Sequence, residues 1–349
     1  MKPLRTAVIG LGQMGLSHAL AYARNPGFTL VGLVNRSPVA LPDELSGCPV
    51  LPSFEAALAE KPDLVSINTY TDSHADLAVA AMEAGAHVFV EKPLAATVAD
   101  AERVVEAARR TGRKLVVGYI LRHHPSWVEF IARARALGPP FVMRMNLNQQ
   151  SSGPAWAIHK RLMESTSPVV DCGVHYLDVM LQITDAAPTQ VRGMGVRLSP
   201  EIADTQVNYG HLQVLFADGS VGWYEAAWGP MISETAFFVK DVMGPRGAVS
   251  IVMDEGAASA DVDTHTKTAR IRLHDAALGP EGRFAHPDTL LSMADEPGHQ
   301  ALCEREQDFV LDAIVHDRDL GRHMADAVRS LAVVLAAERS MREGRAVDL

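Results

Sequence analysis

Three residues of this chain have types and settings suited to moving a proton: Lys92, Asp171 and His175. Lys92 stands in Glu91-Lys92-Pro93, directly behind the apolar run 87–90, where a buried strand would end. In an open sheet of alternating strands and helices, ligands bind outside the carboxyl ends of the strands. A lysine at such a tip can hydrogen-bond a substrate hydroxyl, and a crowded site can lower its pKa toward a useful range. Pro93 fixes φ, and a cis bond there would aim the lysine. Taken alone, the Glu–Lys pair reads better as a solvated turn, and the rest of the chain tips the balance. Asp171 and His175 lie four residues apart in "SPVVDCGVHYLD". On a helix that spacing stacks them on one face. A histidine can take the proton of an alcohol as hydride leaves the carbon, and a neighbouring carboxylate can orient it. Taken alone, this pair is equally a helix cap with a half-buried histidine.

A second group of residues suits a dinucleotide. Gly10-Leu11-Gly12-Gln13-Met14-Gly15 follows the first apolar run and opens a helical pattern. In that context the first Gly makes a tight turn, the second admits a pyrophosphate and the third lets helix and strand pack closely. The phosphates then sit on free N–H groups at a helix N-terminus. The second apolar run ends in Asn35-Arg36-Ser37. An acid there would hold the ribose hydroxyls of NAD; an amide, a guanidinium and a hydroxyl instead suit a 2′-phosphate. The reading favours NADP over NAD. Alternatively, Arg36 stacks on the adenine and leaves the phosphate unread.

The elements that must position these groups follow from periodicity. Strands are expected at 6–9, 28–34, 64–68, 87–90 and 114–118, each short, rich in branched residues and bounded by Gly, Pro or polar residues. Helices lie between them, one opening at Ser73 and one at Thr97 with a capping-box pattern to Asp100. Such alternation means a doubly wound parallel sheet over 1–122. From 123 to 349 the pattern changes to a helix at 125–137 and long alternating runs at 141–149, 207–216, 220–228 and 235–242. "FADGS" reads as a hairpin. The second domain is therefore α/β with a large, mostly antiparallel open sheet. One face should pack on helices; the other, mixed in polarity, is solvated or meets a second subunit. Residues 299–343 return to amphipathic helix and are expected to pack back on the first domain. The polar stretch 254–269 reads as a loop or hairpin.

The bulk numbers exclude several classes. A chain of 349 residues, 48% hydrophobic, points to two domains. The net charge of −10 and the lack of a Lys/Arg block give no case for nucleic acid or an anionic membrane. No run approaches a membrane span, and the N-terminus leads into a glycine turn rather than a cleavage site. Three scattered cysteines without a CxxC pair fit a reducing cytoplasm and no structural zinc. Adjacent His123 and His124 do not converge on a metal, so no metal is expected.

"AVIGLGQMGLSHA", "INTYTDSHADLAVAAMEAGAHVFVEKPLA", "GYILRHHPSW" and "DCGVHYLD" occur in that order, and over nearly its whole length the chain resembles the Gfo/Idh/MocA family, the glucose–fructose oxidoreductase and inositol dehydrogenase group. The resemblance implies a Rossmann domain followed by an α/β domain whose open sheet builds dimers or tetramers. It implies a catalytic Lys–Asp–His set at Lys92, Asp171 and His175, acting with NAD(P) on a sugar or polyol carbon. Arg122 would lie near the nicotinamide, and Thr69 and His74 would line the cofactor crevice. Ser165-Thr166-Ser167-Pro168 stands where many relatives have a Gly-rich turn, so the substrate-side loop departs from the pattern. Tyr119, Trp156, His159, Lys160, Asn208, His211 and Trp228 are candidate sugar contacts, because sugars need hydrogen-bonding groups and flat apolar surfaces. Two alternatives remain open: a glycosidase that oxidises its sugar transiently through bound NAD, and an NADP-sensing regulator without turnover.

Overall fold

The structure, a computed structural model of the chain, describes residues 2–233, 239–253 and 267–349. The chain forms two compact units, Met1–His123 with Pro297–Val328 and His124–Glu296 with Arg329–Leu349.

The first unit is built on strands β1 (Leu4–Ile9), β2 (Phe28–Val34), β3 (Val50–Leu51), β4 (Leu64–Ile67), β5 (His87–Val90) and β6 (Leu115–Val117). All pair in parallel, in the order β3-β2-β1-β4-β5-β6. Helices α1 (Gln13–Arg24), α2 (Phe54–Ala59), α3 (Thr71–Glu83) and α4 (Val98–Thr111) connect them. The five expected strands are all present, β2 and β5 with the expected limits. The two residues of β3 are too few to show a period. α4 begins as its sequence dictates: Thr97 Oγ1 accepts from the Asp100 N–H at 3.1 Å. The Asp100 carboxylate takes the Thr97 hydroxyl at 2.8 Å, so only one arm of the capping box reaches backbone. α3 starts two residues before the expected Ser73, because Tyr70 is the extended residue before the helix. Ser73 Oγ, inside the first turn, donates to the Tyr70 carbonyl.

The glycine turn fixes α1 on the sheet. Gly10 has φ +87°, a conformation open to glycine. A Cβ on Gly15 would stand 1.9 Å from the Gly10 carbonyl oxygen, so helix and turn touch backbone to backbone. That contact turns Ala19 and Tyr22 into a core shared with Val8, Leu33 and Phe89.

The second unit carries α5 (Pro125–Ala136), β7 (Val142–Gln150), α6 (Gly153–Leu162), α7 (Pro168–Asp171) and α8 (Gly173–Thr184). There follow β8 (Pro188–Val196), β9 (Tyr209–Phe216), β10 (Val221–Gly229), β11 (Lys240–Gly244), β12 (Gly247–Val252), β13 (Arg270–Asp275) and β14 (Thr289–Ser292). Among the described residues nine strands form one sheet, β14-β13-β12-β11-β7-β10-β9-β8-β15, where β15 is Val347–Asp348. Every pair is antiparallel except β7 with β10. β9 and β10 form the hairpin read from "FADGS", with Gly219 at φ +83°. Of the run expected at 235–242, residues 235–238 lie outside the described residues, as do 254–266 of the expected polar loop.

The alternation of β7 holds only in part. Met143, Met145 and Leu147 are buried and Arg144 is exposed, but Asn146 and Asn148 on the polar face are buried too. Each finds a protein partner inside: the Val239 N–H donates to Asn146 Oδ1, and Asn148 Nδ2 donates to Glu225. α8 is apolar nearly all round and accordingly buried, with Tyr176 stacked on Tyr224 at 5.0 Å.

α9 (His299–Val315) belongs to the first unit, where it packs on α1. α10 (Gly321–Glu343) starts in the first unit and passes into the second after Val328. Among the described residues no helix is long and apolar enough to cross a membrane.

On α9 the Glu306 carboxyl is fully buried, and among the described residues neither of its oxygens has a hydrogen-bond partner. Burial, and then the charge of Glu91, push it well above the usual carboxylate range. The folded chain thus keeps a proton that the unfolded chain releases above about pH 4.5, and stability falls as pH rises beyond that point. The loss is roughly 1.4 kcal/mol per pH unit until the folded pKa is passed. Glu306→Gln should raise the melting temperature at pH 8, with the gain shrinking toward pH 5. Thermal scans of both proteins at the two pH values check this.

Candidate active site

In the first unit the site gathers along the carboxyl edge of β1, β2, β4 and β5. Gly12 caps α1 without a side-chain hydrogen bond, and the first turn of α1 holds no acidic residue, so the cap side chain takes none of its first N–H groups. A Cβ added to Gly12 would meet nothing within 4 Å, so the fold itself does not demand glycine there. This cradle fits a pyrophosphate, which must approach the backbone. Gln13 is exposed and Met14 half-buried beside it.

At the end of β2 the Asn35 amide braces the glycine turn. Its Oδ1 accepts from the Leu11 N–H at 2.9 Å, and its Nδ2 donates to the Ser37 carbonyl at 2.8 Å. Arg36 and Ser37 are exposed, and Arg36 makes no ion pair among the described residues. At the end of β4, Thr69 Oγ1 lies 2.7 Å from Ser73 Oγ.

Glu91 answers why charge stands at the tip of β5. Its carboxylate is buried, not solvated. Oε1 lies 2.9 Å from His18 Nε2, and Oε2 accepts the Lys92 N–H at 3.1 Å. Lys92 itself is half-buried, and the Lys92–Pro93 bond is cis. His74 is buried on the other side of the motif, with Nδ1 2.8 Å from the Pro93 carbonyl and Nε2 3.0 Å from the Thr69 carbonyl. Burial lowers its pKa, against the pull of those two carbonyls. Arg122 Nη2 donates to Asp326 at 2.9 Å, an ion pair largely shielded from solvent. Tyr119 is buried in this unit, edge-on to His323.

In the second unit Asp171 and His175 do not share one continuous helix. Asp171 ends α7, and α8 starts at Gly173. The break sits where Gly173 is pressed against Tyr224 and Val334, each about 3 Å from where its Cβ would be. Both residues are half-buried. The Cys172 thiol between them lies 3.6 Å from Asp171 Oδ2 and 3.8 Å from Gln149 Oε1. The same Gln149 oxygen accepts from Trp228 Nε1 at 2.6 Å. The Trp228 ring stacks on His159 at 4.6 Å, and His159 Nδ1 meets Ser151 Oγ at 2.9 Å. Asp171, Cys172, Gln149, Trp228 and His159 therefore form one linked row.

Trp156 and Lys160, one turn apart on α6, converge on Glu201, whose two carboxylate oxygens take Trp156 Nε1 at 3.3 Å and Lys160 Nζ at 2.6 Å. Lys160 and then Trp156 hold that carboxyl below its ordinary range. Two further candidate sugar contacts lie on or beside β9. The Asn208 amide joins the Leu198 N–H to the Trp228 carbonyl, and His211 faces Glu225 across β9 and β10. Of the paired histidines, His123 lies on Phe309 and His124 Nδ1 accepts from Ser126 at the start of α5. Among the described residues no three His, Cys, Asp or Glu side chains are placed to hold a metal ion.

Sequence reasoning passed over His18, Gln307, Asp326, Gln149 and Glu201. Only His18 left a signal: it shares the buried face of α1 with Gly15, Ala19 and Tyr22, where a polar side chain must find a partner.

The strand order, the glycine turn and the uncapped helix behind it define a dinucleotide-binding Rossmann unit. Residues 4–119 match the oxidoreductase family with NAD-binding Rossmann fold, and residues 128–250 match the GFO/IDH/MocA C-terminal domain. The chain belongs to the Gfo/Idh/MocA family. It is 32% identical over 201 residues to UDP-N-acetylglucosamine 3-dehydrogenase of Acidithiobacillus ferrooxidans, covering 58% of this chain and 61% of that one. It is 27% identical over 269 residues to scyllo-inositol 2-dehydrogenase (NAD(+)) of Bacillus subtilis, covering 71% and 73%. A solved structure of the Acidithiobacillus enzyme superposes with a TM-score of 0.77 at 22% identity over 98% of this chain and 99% of that one, a likeness of fold. The chain spans between about half and three fifths of the length of the first curated relatives it matches.

The two glycines of the turn separate cofactor from fold. Gly12→Ala should leave the melting temperature within about 2 °C and weaken a bound dinucleotide at least tenfold. Gly15→Ala should lower the melting temperature itself, because backbone must move. Thermal scans and fluorescence titration with NADPH and NADH check both.

Proposed function

We propose that this chain transfers hydride between NADP and a hydroxyl-bearing carbon of a sugar or polyol. The observation that carries the cofactor half is the Gly12 cradle at the uncapped N-terminus of α1. Arg36 and Ser37, exposed beyond the Asn35 brace, would take the 2′-phosphate, and Gly10, Gln13, Met14 and Gly15 would frame the pyrophosphate. Thr69, His74, Glu91, Pro93 and Arg122 would shape the rest of the cofactor surface. The reading of NADP rests on this chain's own residues, since the Bacillus relative is named for NAD(+).

A bound nicotinamide supplies the hydride acceptor or donor. The remaining work falls to side chains. His175 takes the hydroxyl proton as the carbon–hydrogen bond breaks, and returns it in the reverse direction. Lys92 donates a hydrogen bond to the same oxygen and stabilises the negative charge that grows there. Asp171 orients substrate and histidine. The row from His159 and Trp228 through Gln149 offers a flat aromatic surface next to hydrogen-bonding groups, the combination a sugar ring needs. Trp156 and Lys160 would border it. We assign self-association to the outer sheet face, where Met194, Val196 and Leu215 stand exposed, and place the enzyme in the cytoplasm.

Lys92→Ala and His175→Ala should each lower turnover on a sugar and polyol panel by about 10²-fold or more with NADPH affinity retained. Wild-type rates in either would remove that residue from the site. Arg36→Ala should weaken NADPH at least tenfold, a gap of about 1.4 kcal/mol, and NADH much less. Equal losses would mean that Arg36 reads something other than the phosphate.

A further inference from the structure

Lys92 is useful only if its ammonium departs from the strand tip in a fixed direction. A lysine side chain has four rotatable bonds, so that direction begins at its own peptide. The structure shows what holds this peptide. The Lys92 N–H donates to Glu91 Oε2 at 3.1 Å, and the same carboxylate meets His18 Nε2 at 2.9 Å through its other oxygen. His18 is fully buried and is held at a second point, where Gln307 Nε2 donates to its Nδ1 at 2.9 Å. With the Gln307 amide donating to Nδ1, the ring is turned so that Nε2 can donate to Glu91. The Phe89 ring closes on the imidazole at 4.7 Å, which limits its rotation.

The space around the carboxylate is equally constrained. A Cβ on Gly118 would come within 3.2 Å of the Glu91 carboxyl carbon and of Oε1, so a glycine follows β6 where Glu91 needs room. Strand tip, α1 and α9 thus contribute Glu91, His18 and Gln307 to one buried line that ends on the Lys92 peptide.

We propose that His18, held by Gln307, is the positioning residue for Lys92, acting through the Glu91 carboxylate. His18 takes no part in proton transfer with the substrate. Its importance for turnover rests on the reading of Lys92 given above, whereas its effect on Lys92 can be measured separately.

The test compares His18→Asn, too short to reach Glu91, with His18→Gln, whose amide can still donate to it. Brief labelling with acetic anhydride, followed by peptide mass spectrometry, reads the reactivity of Lys92 against Lys160 in the same sample. In His18→Asn the Lys92 labelling rate should change at least threefold with Lys160 unchanged, and His18→Gln should restore it to within about twofold of wild type. On the best substrate of the polyol panel, kcat should fall at least tenfold in His18→Asn while the NADPH dissociation constant stays within about twofold. Unchanged Lys92 labelling in His18→Asn overturns the proposal. Altered labelling with wild-type turnover, in a protein where Lys92→Ala is also fully active, instead overturns the role of Lys92 in catalysis. Should His18→Asn fail to fold, Gln307→Met carries the test: it frees the ring while leaving Glu91 in place, and wild-type labelling of Lys92 there overturns the proposal equally.

Discussion

The contact between Gly15 and the Gly10 carbonyl is the constraint on which the first unit depends. Because no side chain separates helix from turn, α1 starts directly on the carboxyl edge of the sheet. Its first N–H groups then face the crevice, and its buried face brings His18 to the end of β5 one turn later. A single backbone approach thus sets both the anion-binding end of the helix and the partner of Glu91. The strand tip can carry a carboxylate because that partner is waiting, and the neighbouring lysine inherits a fixed peptide.

The second unit solves a different problem. A large mixed sheet must present polar groups without wasting their hydrogen bonds. It does so by linking them in rows. Gln149 serves Trp228 and Cys172 together, and Glu201 gathers Lys160 and Trp156. Stacked and hydrogen-bonded side chains of this kind have little freedom to adapt, so the shape they offer a ligand is largely set before binding. The interruption at Cys172 belongs to the same economy of space: Gly173 must lie flat against Tyr224, and Asp171 and His175 are carried on either side of the break.

Much of this was legible in the residues. Short branched runs between helical periods announce the parallel sheet because buried strands leave that pattern and little else. The glycine spacing announces its helix because only glycine can make those approaches. Two kinds of information were not local. Asn146 and Asn148 alternate as a solvated face would, and their burial depends on Val239 and Glu225, far away in the chain. Gln307 and Asp326 find His18 and Arg122 only because the C-terminal helices return to the first unit, and no spacing within either segment records that meeting. Asp171 and His175, which a single helix would stack on one face, lie on two helices, and that too is set from afar: Gly173 between them meets the Tyr224 ring of β10.

The Asn35 brace has a consequence for anyone wishing to redesign this surface. Its amide does two jobs at once, accepting from the glycine turn and donating to the Ser37 carbonyl. An aspartate, the obvious exchange for recruiting a ribose, could do only the first. It would also set a carboxylate against a carbonyl oxygen, and the turn behind β2 would open. Coenzyme preference and loop architecture are therefore written in the same side chain, and an engineer could not alter the one without rebuilding the other.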